Sequence, residues 1–358
     1  MRSGMSYMEV KAVFPARSAD HQDAADERIQ VEAVIRGGMS SDEFPLHAKI
    51  SSLDNGRELY AASVTAEELD HLLSMINGLK DNSGLLSSQM IRKSKRKKFL
   101  PQLMGIVNAT PDSFYAGSRV SSGDTAFLDS MLDEKPDIID VGGESTRPGS
   151  LPVSAREELS RISPVIEYLS GSTSIPISVD TTKPEVLAGV LKYDVKYAND
   201  ISGLANLGMA GLCRENDLKY ILMHIRGTPA DMQLHTGYED AVPEIMAFLY
   251  EKVGELLGLG LRPEQIIVDP GIGFAKTAET NMEIIRNASS INMGLETLFG
   301  TSRKSFMRKI SGTEPENRLY GTIAASIFLM EKSADILRLH DVSANREALE
   351  TYSRISGY

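Results

Sequence analysis

The sequence predicts an α/β protein, a (β/α)8 TIM barrel preceded by a small amino-terminal α+β domain. Three observations carry that expectation. The chain has 358 residues, so 258 remain after the first 100, close to the roughly 250 of such a barrel. Within those 258, eight short strand-like segments alternate with helix-length stretches, the order expected of a parallel sheet with crossover helices. The first hundred residues read differently, as strands in succession followed by one helix.

Taken in order, residues 10–14, 29–35, 47–53 and 58–64 are apolar or alternating runs set apart by Gly, Asp and Asn signals, and each predicts a strand. Thr65 and Glu68 form a capping box ahead of Leu69, Leu72, Leu73 and Ile76, whose spacing predicts a helix ending near Gly78. Residues 1–82 are therefore expected to form the small domain. Residues 83–100 read as a linker, because six of the seven residues 92–98 are basic. From 101 to 358 the predicted strands are 103–107, 138–141, 177–179, 197–198, 220–223, 266–268, 298–299 and 336–339, with helices at 185–191 and 244–257 among those between them. An open doubly wound sheet would share this alternation. Eight units, and no Gly-x-Gly-x-x-Gly turn after the first strand, favour the closed barrel.

Composition narrows the function. With 49 acidic against 38 basic residues the net charge is -11, which disfavours a nucleic-acid partner. No uninterrupted apolar run approaches 18 residues, so no membrane span is expected. Glu9 and Lys11 interrupt any early secretory segment, and a single cysteine, Cys213, fits a reducing cytoplasm.

Nearly every predicted strand ends in a polar group: Asn108, Gly142-Gly143-Glu144, Asp180, Asn199-Asp200, His224, Asp269, Ser302-Arg303-Lys304, and Arg338 with His340. Strand carboxyl ends of a barrel converge on one mouth, where active sites form. Asp180 and Asp269 are acceptors, Asn199 donates and accepts, and Lys304 donates, a set suited to a flat heterocycle bearing amide and amino groups. Arg338 and His340 alternate along a strand and so face the same way, as a phosphate clamp would, or else bridge to Asp335 or Asp341. His224 and His340 are candidate bases, though no Gly-x-Ser-x-Gly elbow accompanies them. Arg147 can meet an anion, and Asn108 offers an oxygen to a Mg²⁺ that also takes phosphate oxygens. GIGFAKT at 271–277 is not a P-loop, since Ala275 stands at the second glycine.

The blocks MGIVNATPDSF from Met104, DVGGESTRPGS from Asp140, SVDTTKPEV from Ser178, NDISG from Asn199, LMHIRGTPADMQ from Leu222, DPGIGFAKT from Asp269, GTSRKSF from Gly300 and LRLHDV from Leu337 together resemble the dihydropteroate synthases. The resemblance covers residues 101–340 and leaves the first hundred unassigned. It implies condensation of 6-hydroxymethyl-7,8-dihydropterin diphosphate with 4-aminobenzoate, giving 7,8-dihydropteroate and pyrophosphate for folate biosynthesis. Ionisation to a pterin methylene cation would precede attack by the amine. Motif by motif it implies Asp180, Asn199, Asp269 and Lys304 for the pterin, with Ile201 and Met223 as apolar walls. It implies Asn108, Arg338 and His340 for diphosphate and Mg²⁺, and Thr146, Arg147, Phe274, Ser302 and Ser305 near the aminobenzoate. Lys304, Asp180, Arg338 and His340 are the expected catalytic set, and a homodimer is the expected assembly. One departure stands out: Phe114-Tyr115-Ala116-Gly117 lacks the Asp that many members carry after the SF pair, leaving Asp112 as the nearby carboxylate. Either the cation is stabilised differently or another amine or pterin is accepted. The alternatives are a methyltransferase using a reduced folate, which needs neither the clamp nor the TPDSF loop, and a noncatalytic pterin-binding module.

Overall fold

The structure is a computed structural model. It describes residues 7–15, 29–36, 49–53, 57–64, 100–109, 125–145, 150–291, 293, 295–312, 314 and 317–357. The chain divides into two compact units, one of residues 1–97 with 289–294 and one of residues 98–288 with 295–358.

The amino-terminal unit contains β1 (Tyr7–Pro15), β2 (Ile29–Arg36), β3 (Lys49–Leu53) and β4 (Arg57–Val64). They form an antiparallel sheet in the order β1-β2-β4-β3. The central pair runs in register from Ile29 opposite Val64 to Arg36 opposite Arg57. These are the four segments read as strands. The helix expected after Thr65 and the basic stretch at 92–98 lie outside the described residues.

The second unit is a closed parallel barrel of β5 (Gln102–Asn108), β6 (Ile138–Gly142), β7 (Ile177–Asp180), β8 (Tyr197–Asp200), β9 (Lys219–Met223), β10 (Ile266–Asp269), β11 (Glu296–Phe299) and β12 (Ile336–Leu339). Each strand pairs with its neighbour in sequence, and β12 closes on β5 with Arg338 opposite Met104. Among the described helices, α1 (Ala126–Asp133), α2 (Ala155–Ser172), α3 (Pro184–Val190), α4 (Leu207–Glu215), α5 (Ala241–Gly258), α6 (Ala278–Arg286), α7 (Ala288–Ile291), α8 (Phe306–Ser311), α9 (Leu319–Glu331) and α10 (Val342–Ser356) fill the crossovers. Ser154 caps α2 and Thr277 caps α6 by accepting backbone N–H groups of their first turns.

The barrel interior is closed by Met104, Ile138, Tyr197, Ile221, Ile267, Leu298 and Ile336, one buried cluster drawn from seven strands. Successive side chains of a strand alternate faces, so the residue two positions onward points inward one level higher. Those residues are Ile106, Asp140, Asn199, Met223, Asp269, Gly300 and Arg338. The apolar plug thus gives way in a single step to carboxylates, an amide and a guanidinium. This step is what makes the carboxyl-terminal mouth polar while the barrel beneath it stays dry.

Candidate active site

Arg338 organises the mouth. Its Nε donates to Asp140 Oδ2 at 2.6 Å, and an amino group of the guanidinium donates to Asp180 Oδ2 at 2.6 Å. Asn199 Nδ2 donates to the same Asp140 oxygen at 3.0 Å. Asp341 takes two hydrogen bonds from Arg303, and Asp335 accepts from Thr297, while Arg338 turns to Asp140 and Asp180. Asp140 is fully buried, and its second oxygen has no hydrogen-bond partner among the described residues. It was passed over in the sequence, where the polar end of β6 was read at Gly142 to Glu144. The signal was a lone carboxylate inside an apolar strand, two residues after Ile138.

Burial dominates the titration of these groups. Asp180 is pushed up to about 7 by loss of hydration, against the pull of Arg338 and helped by the nearby Asp140 charge. Asp269 is raised to about 6 by burial, opposed by the Gly271 N–H that donates to its Oδ1 at 2.7 Å and by Lys304. Lys304 is lowered to about 8 by burial and by Arg338, with Asp269 and Asp180 holding its charge. Near neutral pH the mouth therefore contains a cationic Arg338, an ionised Asp269, a largely protonated Lys304 and an Asp180 divided between its two forms.

His340 lies one residue beyond β12. Burial and Arg338 lower it to about 4, and Ser302 Oγ accepts its backbone N–H at 3.1 Å while lying 3.1 Å from Nδ1. The imidazole is neutral at pH 7, so the positive charge of the expected clamp is that of Arg338 alone. His224, the other candidate base, is buried and lowered to about 2 by burial and the Lys276 charge, edge-on to Phe248 with Nδ1 3.0 Å from Lys276 Nζ.

Ile201, Met223 and Phe274, read separately from the sequence, join Ile225, Met232 and Ala275 in one buried cluster beside the mouth. The Lys304 ammonium sits 4.4 Å from the Phe274 ring centroid, a cation–π contact that adds to its anchoring. The turn after β10 makes this possible. Gly271 has φ +70°, and a Cβ there would fall 2.1 Å from the His224 carbonyl oxygen; Gly273 has φ +84° and leaves room for the Lys304 chain. Ala275 is itself left-handed at φ 51°. Asn108 ends β5, half-buried opposite Gly142, and Ser302 is buried whereas Ser305 is exposed at the start of α8.

Thr146 and Arg147 lie outside the described residues, as do Asp112 and the Tyr115–Ala116 departure. What is described is the anchor of the second loop: Lys183 Nζ donates to Glu158 Oε2 at 2.6 Å and to Glu144, with Glu158 buried. The sequence reading missed this triad, whose members are spread over three elements.

An acceptor-and-donor rim over an apolar wall, on a closed (β/α)8 barrel, suits an enzyme of flat heterocyclic substrates, and residues 104–340 match the family described as pterin binding enzyme. A dihydropteroate synthase of Synechocystis is 43% identical over 247 residues, covering 68% of this chain and 86% of that protein. The Escherichia coli K12 dihydropteroate synthase is 37% identical over 252 residues, covering 70% and 89%. Among solved structures, Xanthomonas albilineans dihydropteroate synthase with 4-aminobenzoic acid has a TM-score of 0.67 and 35% identity, covering 72% of this chain and 94% of that one. The same enzyme in complex with 7,8-dihydropteroate has a TM-score of 0.65 and 31% identity, covering 74% and 96%. The chain belongs to the dihydropteroate synthase family, transferases of folate biosynthesis.

Proposed function

We propose that the mouth joins 6-hydroxymethyl-7,8-dihydropterin diphosphate to 4-aminobenzoate by ionisation first, with diphosphate leaving before the amine attacks. The observation that carries the reading is that Asp269 and Lys304, each within the other's electrostatic field, stand at the edge of the Ile201 and Met223 wall. A flat pterin needs apolar faces and, along its edge, an acceptor for amino and N–H groups and a donor for the carbonyl. Asp269 accepts, Lys304 donates, and Asn199 and Asp180 complete the edge. Asp180 lies beside Arg338, so the group nearest the developing cation can hold or release a proton near neutral pH without a large cost.

Arg338 and His340 take the diphosphate side. The guanidinium retains its charge at any working pH, and the Ser302 hydroxyl beside Nδ1 fixes the orientation of the neutral His340 ring, leaving Nε2 for the diphosphate. The aminobenzoate lies toward Phe274, Ser302 and Ser305, with Thr146 and Arg147 assigned there on sequence alone. An aromatic amine is nucleophilic enough to add to a methylene cation without a base, so the protein contributes positioning and electrostatics.

Mg²⁺ fits this donor set. Among the described residues no group of three or more His, Cys, Asp or Glu side chains is arranged to hold an ion. An ion here would draw its oxygens from the Asn108 amide, the diphosphate and water, which suits a small cation that keeps several waters. When bound, it would neutralise charge on the leaving group.

The homodimer belongs to the same reading and is supported by α9, which is apolar on all sides. Tyr320, Ala324 and Phe328, spaced by four, are exposed along one stripe, and a helix hydrophobic all round is normally covered. A cytoplasmic site of action is consistent with Cys213, which is buried with its thiol pushed up to about 12. No described helix is long and apolar enough to cross a membrane.

The test is pyrophosphate release from the two substrates, with and without chelator, together with binding of pterin diphosphate and of the bare hydroxymethyl pterin to Arg338→Ala. Release that needs Mg²⁺, and loss confined mainly to the diphosphate ligand, are expected. Equal loss for both ligands contradicts the Arg338 assignment.

A further inference from the structure

Lys276 is a buried lysine for which the reaction outlined above has no use. Its chain is 4% exposed, yet the hydrogen bonds of its ammonium go to neutral groups. Nζ donates to the Phe274 carbonyl at 2.8 Å and to His224 Nδ1 at 3.0 Å, and lies 3.5 Å from the His224 carbonyl. An ammonium out of water is costly unless something opposes the cost, and here, beyond those hydrogen bonds, the field of Asp269 favours the charge while Arg226 and Lys304 repel it. Burial lowers the group to about 7. If stability alone shaped the position, an apolar side chain would serve better.

The contacts indicate what the cost maintains. His224 follows β9, and its N–H donates to the Asp269 carbonyl at 2.8 Å, so it continues the β9–β10 pairing into the mouth. Phe274 sits in the turn after β10, where the strand hydrogen bonds have ended. Lys276 is the side chain that ties that turn back to the end of β9, through one carbonyl and one ring nitrogen. On the far side of Phe274, its ring carries the Lys304 ammonium and packs with Ile201 and Met223.

We infer that Lys276 is a positioning residue that sets the height and tilt of the Phe274 ring, and thereby the aminobenzoate side of the pocket. This rests on the reading that places the aminobenzoate against Phe274. A 1 Å displacement of a positioning group is enough to change rates by about a hundredfold.

Three proteins separate the two ideas: Phe274→Ala, Lys276→Met and the double variant, each assayed by pyrophosphate release with either substrate varied. Met keeps the length and apolar stem of Lys and removes the donors. Phe274→Ala is expected to raise KM for 4-aminobenzoate at least tenfold; no change would overturn the Phe274 reading itself. Lys276→Met is expected to raise the same KM about tenfold and to leave the pterin-diphosphate KM within twofold, with Tm unchanged or higher because a buried charge is gone. In the Phe274→Ala background it should add less than twofold, since its route of action is absent. A tenfold effect of Phe274→Ala together with no effect of Lys276→Met, equal rises in both KM values, or full additivity would each overturn the inference. If Lys276→Met does not fold, the charge is structural and the inference fails unless Lys276→Arg, which keeps donors in reach, restores folding and the wild-type aminobenzoate KM.

Discussion

Asp180→Asn separates the electrostatics of the mouth from its shape. Asp180 rises from 3.8 in an unfolded chain to about 7 in the folded one, with burial as the main cause. Between those two values the folded protein binds a proton that the unfolded chain has already released. Stability contributed by this group is therefore greatest below about pH 4, falls as pH rises through the window, and is flat above about pH 7. At about 1.4 kcal/mol per decade of proton activity, the span amounts to about 4 kcal/mol. Asparagine does not titrate, and Arg338 keeps Asp140 as a partner in the variant. The absolute offset between the two proteins also contains the lost ion pair, but the pH dependence of their difference isolates the proton. Urea unfolding followed by far-UV circular dichroism, suited to a chain without tryptophan, should show the variant gaining about 3 kcal/mol on the wild type from pH 4 to pH 7. A difference constant to within about 1 kcal/mol across that range would refute the claim that Asp180 is held protonated by its surroundings. Turnover should fall most in the variant above about pH 7, where the wild-type group is a carboxylate that can stabilise the developing cation and the amide carries no charge.

Asp269→Asn and Lys304→Ala should each weaken the pterin by about 1 to 3 kcal/mol, roughly ten- to a hundredfold, in calorimetry without aminobenzoate; wild-type affinity in either places the pterin elsewhere. Gly271→Ala puts a Cβ 2.1 Å from a carbonyl oxygen at φ +70°, so turnover should drop about a hundredfold with the barrel still folded by circular dichroism. Gly254→Ala is its control, inside α5 with open space around it, and should be neutral or stabilising by about 0.5 to 1 kcal/mol. A chain beginning at Lys98, the start of the second compact unit, should fold and release pyrophosphate at near the full rate, whereas a hundredfold loss would make the amino-terminal unit part of the site.

The eight barrel strands were legible because each is a short apolar run between helix-length segments, and each announces its end with a polar residue. The errors at their ends are small and have one cause. Asp180, Asn199-Asp200 and Asp269 were read as lying just past the strands, whereas each closes its strand as the last paired position. A polar side chain interrupts the apolar pattern, but its backbone still belongs to the ladder. What the sequence could not show was which charge meets which. Arg338 reaches residues 198 and 158 positions away only because β12 closes against β5, bringing it within reach of β6 and β7. The same closure buries His340 beside a guanidinium, so it is neutral where a basic pair had been expected. Lys276 gave no signal, because a lysine after an apolar turn normally reaches solvent and here does not.

These pairings give the physical reason for including a metal ion in the proposal. Asp140, Asp180 and Asp269 already face Arg338, Lys304 and Lys276, and burial has moved four of these six groups toward their neutral forms. Such a site has little positive charge to spare. Arg338 cannot turn wholly toward a diphosphate without leaving Asp140 and Asp180 side by side in a medium where like charges repel strongly. Proton uptake by Asp180 would relieve that repulsion, and its raised pKa makes the uptake inexpensive near neutral pH. Diphosphate binding should therefore draw a proton into the mouth. An added divalent cation would lessen the demand on Arg338, so the number of protons taken up per diphosphate bound should be smaller with Mg²⁺ than without it.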